Sequence, residues 1–112
     1  MSVTSEYDDD LRVMLRNPNT GRDDLRIRRS IYEPVRAAIL AAIDGSGELA
    51  NSELRSEVER RTPARLWEQH SVGWYTTSVK LDLEARGLLA KDGSPQRLFL
   101  TDAGRAELVG AV

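Results

Sequence analysis

Apolar residues recur along this chain at two different rhythms, and each change of rhythm marks a boundary between elements. Ile31, Val35, Ala38, Ile39, Ala42 and Ile43 fall three and four apart, which predicts a helix with one buried stripe. Ser30 and Glu33 fit a capping box at its start, with Pro34 in the first turn and Gly45 and Gly47 ending it. Glu48-Leu49 leaves room only for a brief extended segment. Asn51 is the expected cap of a second helix, SELRSEVERR, with Leu54 and Val58 facing inward. Thr62-Pro63 stops that helix and opens a short helical piece, PARLWEQH. Ser71 caps a long helix that runs to Gly87. Val72, Tyr75, Val79 and Leu83 line one of its faces, and Trp74, Leu81 and Ala85 a second. The rhythm then shortens to alternation in LLAKD and QRLFL, two strands around DGSP with Leu98 and Leu100 on one side. Thr101 and Asp102 cap a last helix, AGRAELVGAV.

Ahead of the first helix the pattern is weaker. LRVMLR (11–16) alternates enough for a short strand, NPNTG (17–21) is dense in turn formers, and LRIRR (25–29) suits a strand pairing back. Residues 1–10 are polar, acidic and aperiodic, and are expected to be a disordered tail. One domain is expected over 11–112, divided into an N-terminal extension (11–29) and a core (30–112). Three helices with one apolar face each can close around one another, and a hairpin carrying Leu88, Leu98 and Leu100 covers the remaining edge. The expected fold class is therefore α+β, mainly helical: a winged helix-turn-helix with a short strand-like N-terminal extension.

Length and charge narrow the function classes. A chain of 112 residues holds one modest core. With no cysteine, a disulfide scaffold and any thiolate metal site or nucleophile are excluded. No apolar run approaches the ~20 residues that cross a bilayer, and the acidic start is unlike a signal peptide, so a cytoplasmic protein without membrane contact is expected. The formal net charge of −2 opposes DNA binding, because phosphate neutralisation supplies most non-specific affinity. Its distribution softens that objection: seven arginines lie between Leu11 and Arg36 against Asp23, Asp24 and Glu33. Phosphate-loop and nucleophile-elbow motifs are missing, and His70 is the sole histidine. Neither an enzyme, a metal site nor a cofactor is expected.

Two family resemblances bear on this pattern. The segment VKLDLEARGLLAKDGSPQRLFLTDAGRAEL (79–108) resembles the C-terminal half of MarR- and PadR-type regulators, matching at Leu83, Gly87, Leu88, Leu100, Thr101 and Gly104. That resemblance implies a winged helix and a DNA-binding, transcription-regulating role. NPNTGR, YEPVRAAIL, GWY and VKLDLEARGL also resemble a family of small bacterial proteins of unknown function, which implies a shared fold and no reaction.

In a winged helix on duplex DNA, the helix after the turn enters the major groove and the hairpin follows the backbone. Here that helix offers Ser71, Thr76, Thr77 and Lys80, the hairpin Lys91, Ser94, Gln96 and Arg97, and the extension Arg26, Arg28 and Arg29. Asp82 and Glu84 oppose phosphate if they share that surface. The same residues read equally as a solvated helix face and a charged turn. DNA regulators commonly match a two-fold site, so a homodimer is expected with that reading. The alternative is a protein partner docking on Trp74, Leu81 and Phe99. Trp67, His70, Trp74 and Tyr75 form an aromatic cluster whose main expected role is packing.

Overall fold

The computed structural model describes residues 12–17 and 22–110, with side chains at 15, 27 and 28–108. The acidic tail 1–10 and most of the turn expected at 17–21 lie outside the described residues. The described chain is α+β and mainly helical, with four α-helices, a separate two-stranded hairpin and a three-stranded antiparallel sheet. Strand β1 (Arg12–Asn17) pairs antiparallel with β2 (Arg22–Arg28), placing Leu15 opposite Leu25 and Val13 opposite Ile27. Helix α1 (Arg29–Ser46) follows directly, then β3 (Leu49–Ala50), a 3₁₀ turn (Asn51–Glu53) and α2 (Leu54–Arg61). A second 3₁₀ turn (Ala64–Trp67) leads to α3 (Val72–Ala85), then β4 (Leu89–Asp92), β5 (Arg97–Leu100) and α4 (Asp102–Gly110).

Helix α1 is the buried axis of the fold, contributing Ile31, Val35, Ile39, Leu40 and Ile43 to the core. Its start differs from the capping-box expectation. The helix runs straight off β2, Arg28 occupies the cap position without a side-chain cap bond, and Glu33 pairs with Arg29 at 3.1 Å. Pro34 therefore lies in the second turn, and Gly45 belongs to the helix, which ends at Gly47 with φ 80°. Asn51 likewise does not cap α2, because its side-chain oxygen is taken by Lys80 at 3.2 Å.

Helix α3 follows its expected bounds closely. Ser71 Oγ accepts from the Trp74 N–H at 3.1 Å, the N-cap bond the sequence predicts. At the other end Gly87, at φ 78°, donates to the Glu84 carbonyl while Leu88 donates to that of Leu83, a Schellman ending. The buried line is Val72, Thr76, Val79 and Leu83, with Tyr75 only half-buried. The stripe expected through Tyr75 is thus displaced by one residue.

Sheet order is β3-β5-β4, with Leu49 opposite Leu98 and Leu89 opposite Leu100. Leu98 and Leu100 alternate into the core beneath α1, while Phe99 lies on the other face of the sheet. Thr101 Oγ1 donates to the Gly87 carbonyl at 2.6 Å and accepts from the Gly104 N–H at 3.0 Å. One hydroxyl thereby ties the end of α3 to the start of α4. Gly104 has no substitute, since a Cβ there would lie 2.2 Å from the Leu88 carbonyl oxygen.

Candidate functional site

Helix α3 carries polar side chains into the interior on two flanks. On the first, Asp82 is completely buried and accepts from Tyr32 Oη at 2.8 Å and from Arg86 Nε at 2.9 Å. Burial, and then the hydrogen bond to Asp82, push the Tyr32 phenol up to about 12. A buried carboxylate with a neutral donor and a cation is satisfied. This flank holds α1 and α3 together and removes Asp82 from any surface on which it would repel phosphate.

The second flank faces the start of α2 across a concavity of about 360 Å³. Asn51, Arg55, Thr76, Thr77 and Lys80 supply its polar lining and Leu54 and Gly73 the remainder, and among the described residues no carboxylate lines it. Lys80 is 8% exposed: its stem lies along the core and its ammonium donates to Asn51 Oδ1 at 3.2 Å. Glu84 stands behind it, 3.8 Å from Lys80 Nζ and 3.3 Å from Lys91 Nζ. One buried carboxylate is therefore shared by two lysines. Thr76 is 4% exposed, and its Oγ1 has no hydrogen-bond partner. Among the described residues Arg55 makes no ion pair; its side chain lies across Gly73, where an added Cβ would stand 3.7–3.8 Å from it.

The structure separates the residues that the sequence grouped. Thr76 and Lys80 are not presented outward: helical geometry puts Thr76 on the buried line and folds Lys80 against Asn51, and both line the concavity. Thr77 is exposed and lines it, whereas Ser71 is exposed but occupied as the cap. Lys91 is tied to Glu84, and Arg97 is paired with Glu48. Ser94 and Gln96 are exposed in the turn, where the Gln96 carbonyl accepts from the Asn51 N–H at 3.0 Å and draws the hairpin beside the concavity. Arg28 and Arg29 are exposed at the start of α1, Arg29 paired with Glu33; the Arg26 side chain is outside the described ones.

The residues of the alternative docking set differ in exposure. Trp74 is 45% exposed, the one large hydrophobic side chain so exposed among the described residues. Leu81 is half-buried on α3, along which β1 packs, and Phe99 lies on the sheet face turned from the core. The aromatic cluster packs as expected at Trp67, whose Nε1 donates to Thr62 Oγ1 at 2.9 Å, and at Tyr75, whose ring centroid is 4.9 Å from that of Trp74. Sequence reasoning missed Asn51, Arg55 and Gly73 as lining residues. Their only signal is that the first turn of one helix must lie against the next when both follow short connections.

These features define a small α+β domain with a donor-lined concavity between two consecutive helices and a hairpin at its side. The chain belongs to a family of unknown function, DUF6958, whose pattern matches residues 12–98, from β1 to the middle of β5. Neither the curated proteins nor the solved structures yield a match. Among the described residues no helix is long and apolar enough to cross a membrane, and no cluster of three metal-ligating side chains occurs.

Proposed function

We propose that this chain is a winged helix-turn-helix module that binds double-stranded DNA without catalysing a reaction. In this reading α2 and α3 are the helix-turn-helix pair and the β4–β5 hairpin is the wing. The observation that carries it is the lining of the α2–α3 concavity, which among the described residues holds Arg55, Lys80 and three hydrogen-bonding side chains and no carboxylate. Asp82 turned into the core and Glu84 neutralised between two lysines remove the charges that most oppose this use. The footprint is narrower than the sequence suggests. Arg55 and Thr77 lie at its centre with Asn51 beside them, Lys91, Ser94 and Gln96 come from the wing, and Lys80 sits at the floor. The chain acts as a homodimer on a two-fold site.

Binding to random-sequence duplex across a salt series tests this. Expected is an affinity that falls with log[salt] at a slope of about −0.9 per phosphate neutralised. Arg55→Ala should make that slope shallower by about one contact. No binding at low salt overturns the reading.

Exposed Trp74 favours a second reading, in which this end of α3 docks a protein partner, since tryptophan is enriched among residues that dominate interface energy. Duplex binding undiminished by Trp74→Ala, together with a monomeric chain, would leave Trp74 for such a partner.

A further inference from the structure

We propose that the α2–α3 concavity is a discrete site for one phosphate group carried on a small molecule, a phosphomonoester, and that it fills without duplex DNA. It shares the face proposed for DNA but does not rest on that proposal.

Thr76 provides the first argument. A hydroxyl buried without a partner loses its water and gains nothing, at a cost of about 1–3 kcal/mol. Threonine in a helix can usually return its hydroxyl to a carbonyl one turn back, yet Thr76 Oγ1 is buried with no partner at all, in a residue that lines the concavity. Valine has nearly the same shape and no hydroxyl to leave orphaned. An acceptor in the concavity meets this hydroxyl once the side chain turns toward it.

Arg55 and Gly73 provide the second. Arg60 and Arg61, further along α2, both reach Glu57, whereas Arg55 has no carboxylate among the described residues. Its side chain lies across the first turn of α3, where unsatisfied N–H groups already make the helix end positive. Arg55 is exposed there, so its guanidinium and the positive helix end face the same open space with no carboxylate between them among the described residues. Gly73, in the same turn, has no packing reason to be glycine, because a Cβ would make only ordinary contact with the movable Arg55 side chain. Glycine lowers helix stability by roughly 0.5–1 kcal/mol relative to alanine, and here what it leaves open is the floor of the cavity.

The donor set fits the ligand. Asn51 accepts from Lys80 through Oδ1, so its amide N–H groups remain to donate, and Lys80 has protons beyond the one it gives Asn51. With Arg55, Thr76 and Thr77 these surround an oxyanion, and arginine adds the planar fork that suits phosphate. The volume of about 360 Å³ lies inside the range of roughly 300–1,000 Å³ typical of small-ligand sites. Phosphate alone leaves much of it empty, so a phosphate with its carrier fits better.

The full-length protein, labelled with ¹⁵N, is titrated with inorganic phosphate, a 5′-mononucleotide and a short duplex, each at constant ionic strength against chloride. Expected are saturable shifts at the Asn51, Gly73, Thr76 and Thr77 amides with phosphate, tighter with the mononucleotide. Arg55→Ala should weaken both by about tenfold, equivalent to ~1.4 kcal/mol. Thr76→Val should weaken them several-fold while the remaining spectrum stays folded. Phosphate and mononucleotide binding without duplex binding upholds this site and removes the DNA reading. Duplex that displaces the mononucleotide upholds both. Duplex binding with no response to phosphate or mononucleotide, or shifts unchanged in both variants, overturns the site.

Discussion

The two polar flanks of α3 differ in one respect: on one every buried polar group has found a partner, and on the other it has not. Asp82, wholly enclosed, is met by Tyr32 and Arg86. Two positions earlier on the same helix Lys80 is held by Asn51, but Thr76 one turn before it has nothing and Arg55 above it is unpaired among the described residues. Thr76 and Lys80 are nearly as buried as Asp82, so burial of these side chains alone does not distinguish the flanks, although Asn51, Arg55 and Thr77 beside them are exposed. Complete satisfaction marks a group that stabilises the fold; a donor surplus facing a cavity marks a group awaiting something else.

Substitutions that sharpen this contrast should differ in size and in sign. Asp82→Ala leaves Tyr32 and Arg86 without their common acceptor and should destabilise the protein by about 3–5 kcal/mol in urea denaturation; a loss below ~1 kcal/mol would remove the structural role assigned to this flank. Tyr32→Phe should cost about 1–3 kcal/mol, since it leaves Asp82 with one fewer donor. The same phenol makes stability depend on alkaline pH. Its pKa is raised from 10.0 to about 12, so its contribution is full below pH 10 and is lost as pH rises toward 12. Urea midpoints between pH 8 and 12 should fall for the wild type and fall less for Tyr32→Phe.

On the opposite flank the changes should be small and of opposite sign. Thr76→Val removes an unsatisfied hydroxyl and should raise stability by about 1 kcal/mol without ligand, and Gly73→Ala by roughly 0.5–1 kcal/mol. Thermal unfolding checks both, and a destabilised Thr76→Val would mean that its hydroxyl has a partner after all. Arg55→Ala should lie within about 0.5 kcal/mol of the wild type, its effect confined to binding.

The contrast also explains what could be read from the sequence. Helix α1, the cap at Ser71 and the strands around Asp92-Gly93 were legible because apolar spacing and turn chemistry act locally. The same local reasoning failed where a side chain had two uses. Asn51 is as good a cap as a sequence can offer, but Lys80, twenty-nine residues on, takes its oxygen. Tyr75 is more apolar than Thr76, so residue type points to a stripe through Tyr75, although the line Val72, Thr76, Val79, Leu83 fits helical spacing better. A stripe drawn through Tyr75 leaves Lys80 on the outward side, but an apolar stem with an acceptor at its end can lie along a core. The concavity itself was not legible, since Arg55 and Gly73 meet only once α2 turns against α3.

The middle position of β5 has a consequence for how the chain is made. Leu49 and Leu89 both wait on Leu98 and Leu100 for their pairing, and those residues arrive late in synthesis from the N-terminus. Until translation has passed Leu100, two backbone edges and the underside of α1 stay uncovered, open to association with other nascent chains. Premature termination just before this point would therefore yield a sticky fragment rather than a smaller folded domain.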